Sequence, residues 1–359
     1  MKQNVSVYLD LLRVSAALTV VAAHLLTYLW PHGPFGIQAH DAVIAFFVIS
    51  GYVIALVADK PGATVRGYIL DRLSRLWSVQ VPAAFIAGAV FLIVDRDAAS
   101  ELPAAIATWH QLFWDTLINL LFQGQGWSAS VDAPFNQPLW SVNYEAWYYA
   151  IFGAWIFLSG RVRWIAAAVL CAVAGPKILA LLPCWLAGVA LYRYGDRVKF
   201  PERRAFALFL LSIALYAAAY IADIQHISVD WLQKSVMGQR YDLEWSSAML
   251  SDYLTALLAA ANICAFANMP SFGVDLLRIG GPIRTAASYT LSLYLYHTPL
   301  AFLLIFGLGL GKAGIAGAAV VILGITASIV LLGKQTEHRR ADWRRWLARL
   351  IRSRAIRPA

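Results

Sequence analysis

Residues 8–30 read YLDLLRVSAALTVVAAHLLTYLW, an apolar run interrupted only by Asp10 and Arg13 near one end and His24 toward the other. A hydrocarbon layer of ~30 Å takes about 20 helical residues at ~1.5 Å each, so this stretch is long enough to cross a membrane. Nine more apolar stretches follow, near residues 40–58, 78–94, 140–158, 163–176, 178–193, 204–222, 247–267, 286–308 and 312–333. The fifth of the ten is short and ends at Gly175-Pro176, as a broken or partly re-entrant helix would, and Leu112 to Phe122 suits a further interfacial helix. Composition agrees: of 359 residues, 60% are hydrophobic and 14% charged, against roughly half and about 25% in a soluble domain. Backbone amides in lipid must be satisfied internally, by helices or a closed barrel, and the alternating pattern of a barrel is missing. The expected fold is all-α: a polytopic integral membrane protein of about ten transmembrane helices.

A net charge of +9 would suggest nucleic acid in a soluble chain. Here the Lys and Arg residues sit in the loops between apolar runs, so no nucleic-acid partner is expected. With the amino terminus inside, 24 of the 29 lie on the inner side and five, Arg96, Lys177, Lys234, Arg240 and Lys312, on the outer. Basic loops stay cytoplasmic, which puts both termini there. Residues 1–335 form the expected membrane domain, and 336–359 a basic cytoplasmic tail. The tail carries eight arginines, with Trp343, Trp346, Leu347, Leu350 and Ile351 at helical spacing. This is the pattern of an amphipathic helix on anionic lipid, with a partner-binding tail as the alternative. Cys171, Cys184 and Cys264 are odd in number and lack metal-ligand spacing, so they read as small hydrophobes and no metal site is expected. Asp10, Arg13 and the nine later segments mark the first segment as retained rather than a cleaved signal peptide.

Ionisable groups in spanning segments are costly and normally face a bundle interior or cavity. In the first segment, eleven residues separate Arg13 and His24, about 20° past three full turns, so both share a face ~16 Å apart along the axis, with Asp10 on it too. A snorkelling arginine and an interior histidine are the plainer account of the two alone. Ahead of the third segment, Asp71-Arg-Leu-Ser-Arg75 sets Arg72 and Arg75 at i and i+3, a pairing suited to a multivalent phosphate or to ordinary inside charge. The fourth begins PLWSVNYEAWYY at residue 138, with Glu145 about five residues inside the expected external boundary among aromatics. The ninth contains SYTLSLYLYHTP at 288–299, where Tyr294 stands a turn before His297 and Pro299 should bend the helix. His24, Glu145 and His297 fall in outer halves and Asp10, Arg13, Arg72 and Arg75 at the cytoplasmic end, giving an acid–base pole outside and a phosphate-friendly pole inside.

In order along the chain, LDLLR at 9, His24, AFFVISGY at 45–52, DRLSRLW at 71–77, PLWSVNYEAWYY at 138–149 and SYTLSLYLYHTP at 288–299 resemble acyltransferase family 3, integral-membrane O-acyltransferases of bacterial surface and secreted glycans. The resemblance implies that Arg13 and His24 are essential for transfer, that Arg72 and Arg75 govern use of the donor, and that the donor is cytoplasmic acyl-CoA, acetyl-CoA foremost. It further implies a glycan or glycoside acceptor and a bacterial inner membrane. Two departures affect loop geometry: the family's Gly-Val/Ala-Asp before the FF motif is Ala39-His40-Asp41, and the proline after RxxR is displaced to Pro82. Some members carry a fused hydrolase-like domain; a chain ending 26 residues after its tenth segment is expected to be the membrane domain alone.

The expected mechanism holds CoA phosphates with Arg72, Arg75 and Arg13, supported by Asp10, and uses His24 as general base or acyl carrier, with Glu145 or His297 holding its tautomer. Trp127, Trp140 and Trp147 are candidates for stacking on sugar rings at the outer mouth, belt packing being the plainer account. A transporter or flippase of a lipid-linked saccharide, or a scaffold of a polysaccharide-assembly complex, would use the same buried polar groups without acyl chemistry.

Overall fold

In the computed structural model, residues 3–30, 39–94, 108–127, 129–234 and 243–353 are described, and all regular structure among them is helical. Lys2, Arg96, Arg240, Arg354 and Arg357 of the charge pattern lie outside the described residues. In chain order the helices are α1 (Gln3–Leu29), α2 (Ala39–Ala58), α3 (Val65–Ile93), α4 (Trp109–Leu120), α5 (Trp140–Phe157), α6 (Gly160–Ala174), α7 (Pro176–Tyr194) and α8 (Glu202–Ile221). They continue with α9 (Ile224–Leu232), α10 (Met249–Ala267), α11 (Pro270–Arg278), α12 (Gly280–Ala287), α13 (Thr290–Phe302), α14 (Gly314–Gln335) and α15 (Arg340–Ser353). Helices occupy all ten expected positions. Eight spans among the described residues are long and apolar enough to cross a bilayer, carried by α1, α2, α3, α7, α8, α10, α13 and α14. The other two, α5 and α6, are 18 and 15 residues long. The protein is a multi-pass membrane protein.

The third segment corrects the hydropathy reading. Its helix starts at Val65, thirteen residues before the apolar run at 78, capped by Thr64 whose hydroxyl accepts from the Gly67 amide at 3.1 Å. Arg72 and Arg75 therefore lie inside α3, not in a stretch before it. They interrupt the apolar run without ending the helix because their side chains turn into a cavity. The interior Pro82 does not end it either. Likewise Pro299 leaves α13 continuous to Phe302, and the chain then passes into a π-turn at Leu303–Gly307.

α13 is the central post. Every residue from Thr290 to Phe302 except Leu293 is buried, and the helix touches α1, α3 and α14. The tightest contact lies elsewhere, between α2 and α7. A Cβ at Gly51 would meet the Trp185 carbonyl oxygen at 2.0 Å, and one at Gly188 the Val48 carbonyl oxygen at 1.9 Å. Two glycines let the backbones touch, as in membrane helix pairs driven by van der Waals packing. Gly188→Ala is expected to force the helices apart at a cost of about 1–3 kcal/mol. Its check is thermal unfolding of the purified protein in detergent, with Gly88→Ala, where a Cβ meets nothing within 4 Å, expected to leave the midpoint unchanged.

Residues 109–127 and 129–139 fold back into the bundle. Trp77 Nε1 donates to the Leu120 carbonyl at 3.0 Å, Gln80 Nε2 to that of Asn119 at 3.1 Å, and Asn136 Nδ2 to that of Leu295 at 2.9 Å. α5 consequently starts beside the middle of α13 rather than at a boundary, which matters for Glu145.

Candidate active site

Helices α1, α2, α3, α5 and α13 enclose a cavity of about 80 Å³, room for roughly six waters. Its polar lining is Arg13, Ser50, Arg72, Arg75, Ser141, Glu145, Tyr149, Thr290 and Tyr294. Glu145 accepts a hydrogen bond from Ser50, whose oxygen in turn accepts from Trp185 Nε1 at 3.2 Å. The close approach of α2 and α7 at Gly51 and Gly188 thus fixes Ser50 and, through it, the carboxylate. The three guanidiniums are sparsely partnered. Arg13 has a long contact of 3.4 Å to Asp10. Arg72 lies 5.9 and 5.7 Å from the ring centres of Tyr68 and Tyr149, and its buried Nε has no hydrogen-bond partner. Arg75 has no side-chain hydrogen bond or ion pair among the described residues. Three arginines against one carboxylate leave the lining with two excess positive charges. A low-dielectric cavity with that excess favours a multivalent anion.

A second cluster sits farther along α1 and α13. His24 Nδ1 lies 2.9 Å from His297 Nε2, and the rings are 17° from parallel. His297 Nδ1 is 2.9 Å from the Leu293 carbonyl oxygen. A carbonyl only accepts, so in the neutral pair Nδ1 of His297 carries the proton and its Nε2 is the acceptor. His24 must then donate from Nδ1, and its own lone pair is on Nε2. Thr298 Oγ1, 3.1 Å from His297 Nε2, supports the same assignment as a second donor. The chain Leu293 C=O, His297, His24 thus leaves the lone pair of one imidazole, on His24 Nε2, outside the hydrogen-bond relay. Tyr294 joins the two clusters: it lines the arginine cavity one turn before His297, and its hydroxyl lies 2.8 Å from Ser141 Oγ and donates to the Pro138 carbonyl at 2.9 Å.

The structure brings Arg13, Arg72 and Arg75 together and pairs His24 with His297. It separates Glu145 from the histidines: instead of joining an outer acid–base pole, Glu145 sits among the arginines, because residues 109–127 and 129–139 start α5 inside the bundle. Asp10 pairs with Arg13 but does not line the cavity. Trp140 is only 4% exposed and stacks with His40 and Trp245, so it is no open platform for a sugar. Trp147 donates from Nε1 to the Phe122 carbonyl, while Trp127 is 55% exposed. One buried pair escaped the sequence reading: His40 Nε2 lies 3.1 Å from the carboxylate of Asp252, which is fully buried in α10. The cost of a charge within an apolar segment, applied to Asp252 in the eighth stretch, was the signal available for it.

No solved structure matches the chain. It is similar to an acyltransferase of Streptomyces mycarofaciens, MdmB, with 29% identity over 140 residues, 37% of this chain and 33% of that protein. The match thus spans about a third of that relative's length. The family model for the acyltransferase domain of acyltransferase family 3 matches residues 6–333, which takes in both clusters and every helix from α1 through most of α14. The chain belongs to acyltransferase family 3, and its apolar helices make it a multi-pass membrane protein.

Proposed function

We propose that the protein transfers an acyl group, acetyl foremost, from cytoplasmic acyl-CoA to a hydroxyl of a glycan or glycoside at the outer face of a bacterial inner membrane. The observation that carries this is a cavity of three underpartnered arginines that shares α1 and α13 with a histidine pair whose tautomers leave one basic nitrogen free. Arg13, Arg72 and Arg75 bind the phosphates of the donor. The eleven residues from Arg13 to His24 give ~16 Å along α1, a path for the pantetheine arm. The acceptor hydroxyl loses its proton to His24 Nε2 as its oxygen attacks the thioester carbonyl. The carbon–sulfur bond then breaks, the proton passes from His24 to the leaving thiolate, and ester and free CoA result. His297 keeps His24 in the required tautomer and shares the positive charge while His24 is protonated. Glu145 sits on the donor side, where its charge offsets part of that of the arginines. The basic inner loops support cytoplasmic termini, with the arginine cavity facing the cytoplasmic half.

The test compares surface and secreted glycan from cells with the wild-type gene, with His24→Ala and with no gene, measuring ester-linked acyl groups by mass spectrometry. Loss of the ester in the last two, at equal protein levels and with the glycan still made, is expected. Full acylation in His24→Ala sinks the mechanism, and loss of the glycan itself in the deletion strain would favour a transporter.

A further inference from the structure

The C-terminal segment does more than follow the last span: it touches both working helices. Glu337 reaches the first turn of α13, where its Oε2 accepts from the Ser292 amide and the Ser292 hydroxyl, each at 2.9 Å. Ser292 is the third residue of α13, so its amide is one of those a helix start leaves without a partner in the helix, and Tyr289 at the cap position provides no side-chain bond. Glu337 caps the helix from outside. The next residue is Leu293, whose carbonyl holds the His297 Nδ1 proton. Seven residues after Glu337, on α15, Arg344 Nε meets Asp71 Oδ1 at 2.5 Å, and Asp71 immediately precedes Arg72. Arg66 Nη2 donates to the Ala348 carbonyl at 3.3 Å, and Leu347 is buried. Thr336 accepts from the Tyr296 hydroxyl at 2.9 Å, one residue before His297.

We propose that Glu337 and Arg344 are positioning residues of the active site, Glu337 through the Ser292–Leu293 turn that orients His297, and Arg344 through Asp71 beside the donor arginines. This rests on the donor and base roles assigned above. The two contacts act on different helices and therefore on different kinetic constants. Glu337→Ala frees the turn under His297 and is expected to lower kcat about tenfold with the donor KM unchanged. Glu337→Gln keeps an acceptor oxygen at that amide and should recover most of the loss. Arg344→Ala loosens α3 at Asp71, and since the pair is half exposed, the expected rise in donor KM is about fivefold with kcat unchanged. Arg344→Asp combined with Asp71→Arg should return KM toward the wild type.

The assay is transfer from radiolabelled acetyl-CoA to the glycan fraction extracted from cells lacking the gene, using full-length protein in membranes and normalised to folded protein. A tail that merely stabilises the fold would lower the amount of folded protein and leave both constants alone; that result, or equal changes in kcat and KM for both variants, or failure of the reversed pair to restore KM, overturns the inference. Absence of any acyl-CoA turnover by the wild type overturns the proposed function and this inference with it, whereas wild-type turnover without the split overturns the inference only.

Discussion

His24→Ala is expected to lower the rate of acyl transfer by about 10²- to 10⁴-fold while leaving donor binding within a factor of two of the wild type, the range and pattern for a positioned general base. The expectation follows from the hydrogen-bond chain. His24 Nδ1 is committed to His297 Nε2, so the only basic nitrogen is Nε2, and alanine removes it without touching the arginine cavity. His297→Gln separates base from orienter. Its amide nitrogen cannot accept from His24 and its oxygen can, so a partial loss of about tenfold is expected if the glutamine oxygen faces His24. Rates from stopped assays with saturating acetyl-CoA check both variants. A His24→Ala enzyme that keeps full turnover leaves the histidine pair without a catalytic role.

Arg75→Ala is expected to raise the donor KM by about 10- to 100-fold, because a hydrogen bond to a charged group contributes roughly 1.5–3 kcal/mol and each ~1.4 kcal/mol is tenfold in affinity. Arg75 is the cleaner site than Arg13, whose removal would also leave Asp10 without its cation, or Arg72, whose guanidinium stacks with Tyr68 and Tyr149. Arg75→Lys restores the charge but not the planar fork and should recover only part of the affinity. Glu145→Gln supplies the opposite sign. It raises the positive excess of the lining from two to three, so the donor should bind no more weakly, while loss of the carboxylate that faces the guanidiniums lowers the folded protein's stability. Titration of purified variants with acetyl-CoA by isothermal calorimetry checks the series; an Arg75→Ala protein that binds like the wild type excludes this cavity as the phosphate site.

Much of this molecule is legible in its sequence, for physical reasons that differ from residue to residue. Spanning helices announce themselves because lipid demands an unbroken apolar run, so α1, α2, α8, α10 and α14 fall within a few residues of the stretches read from hydropathy. Arg13 and His24 share one helix, where 3.6 residues per turn fixes their relative direction without knowledge of any neighbour. The start of α3 is not legible in the same way. Arg72 and Arg75 break the apolar run, and only the cavity that receives them explains why the helix continues. Glu145 is misplaced for a related reason: its depth depends on where residues 109–127 and 129–139 enter the bundle, and that is set by contacts such as Asn136 to Leu295, which are 159 positions apart. His40 and Asp252 meet across 212 positions, a distance that no local pattern encodes.

The histidine tautomers also limit the chemistry in time. With Nδ1 of His24 giving its proton to His297, a single lone pair remains on the ring, and it cannot carry an acyl group and accept the acceptor's proton in one step. An enzyme that parked the acyl group on His24 would need another base for the second half of the reaction, and the ring would show ping-pong kinetics and an Nε2-acylimidazole in acid-quenched samples. Direct transfer instead requires donor and acceptor to be bound together, so initial-rate plots against acetyl-CoA at several acceptor concentrations should intersect rather than run parallel.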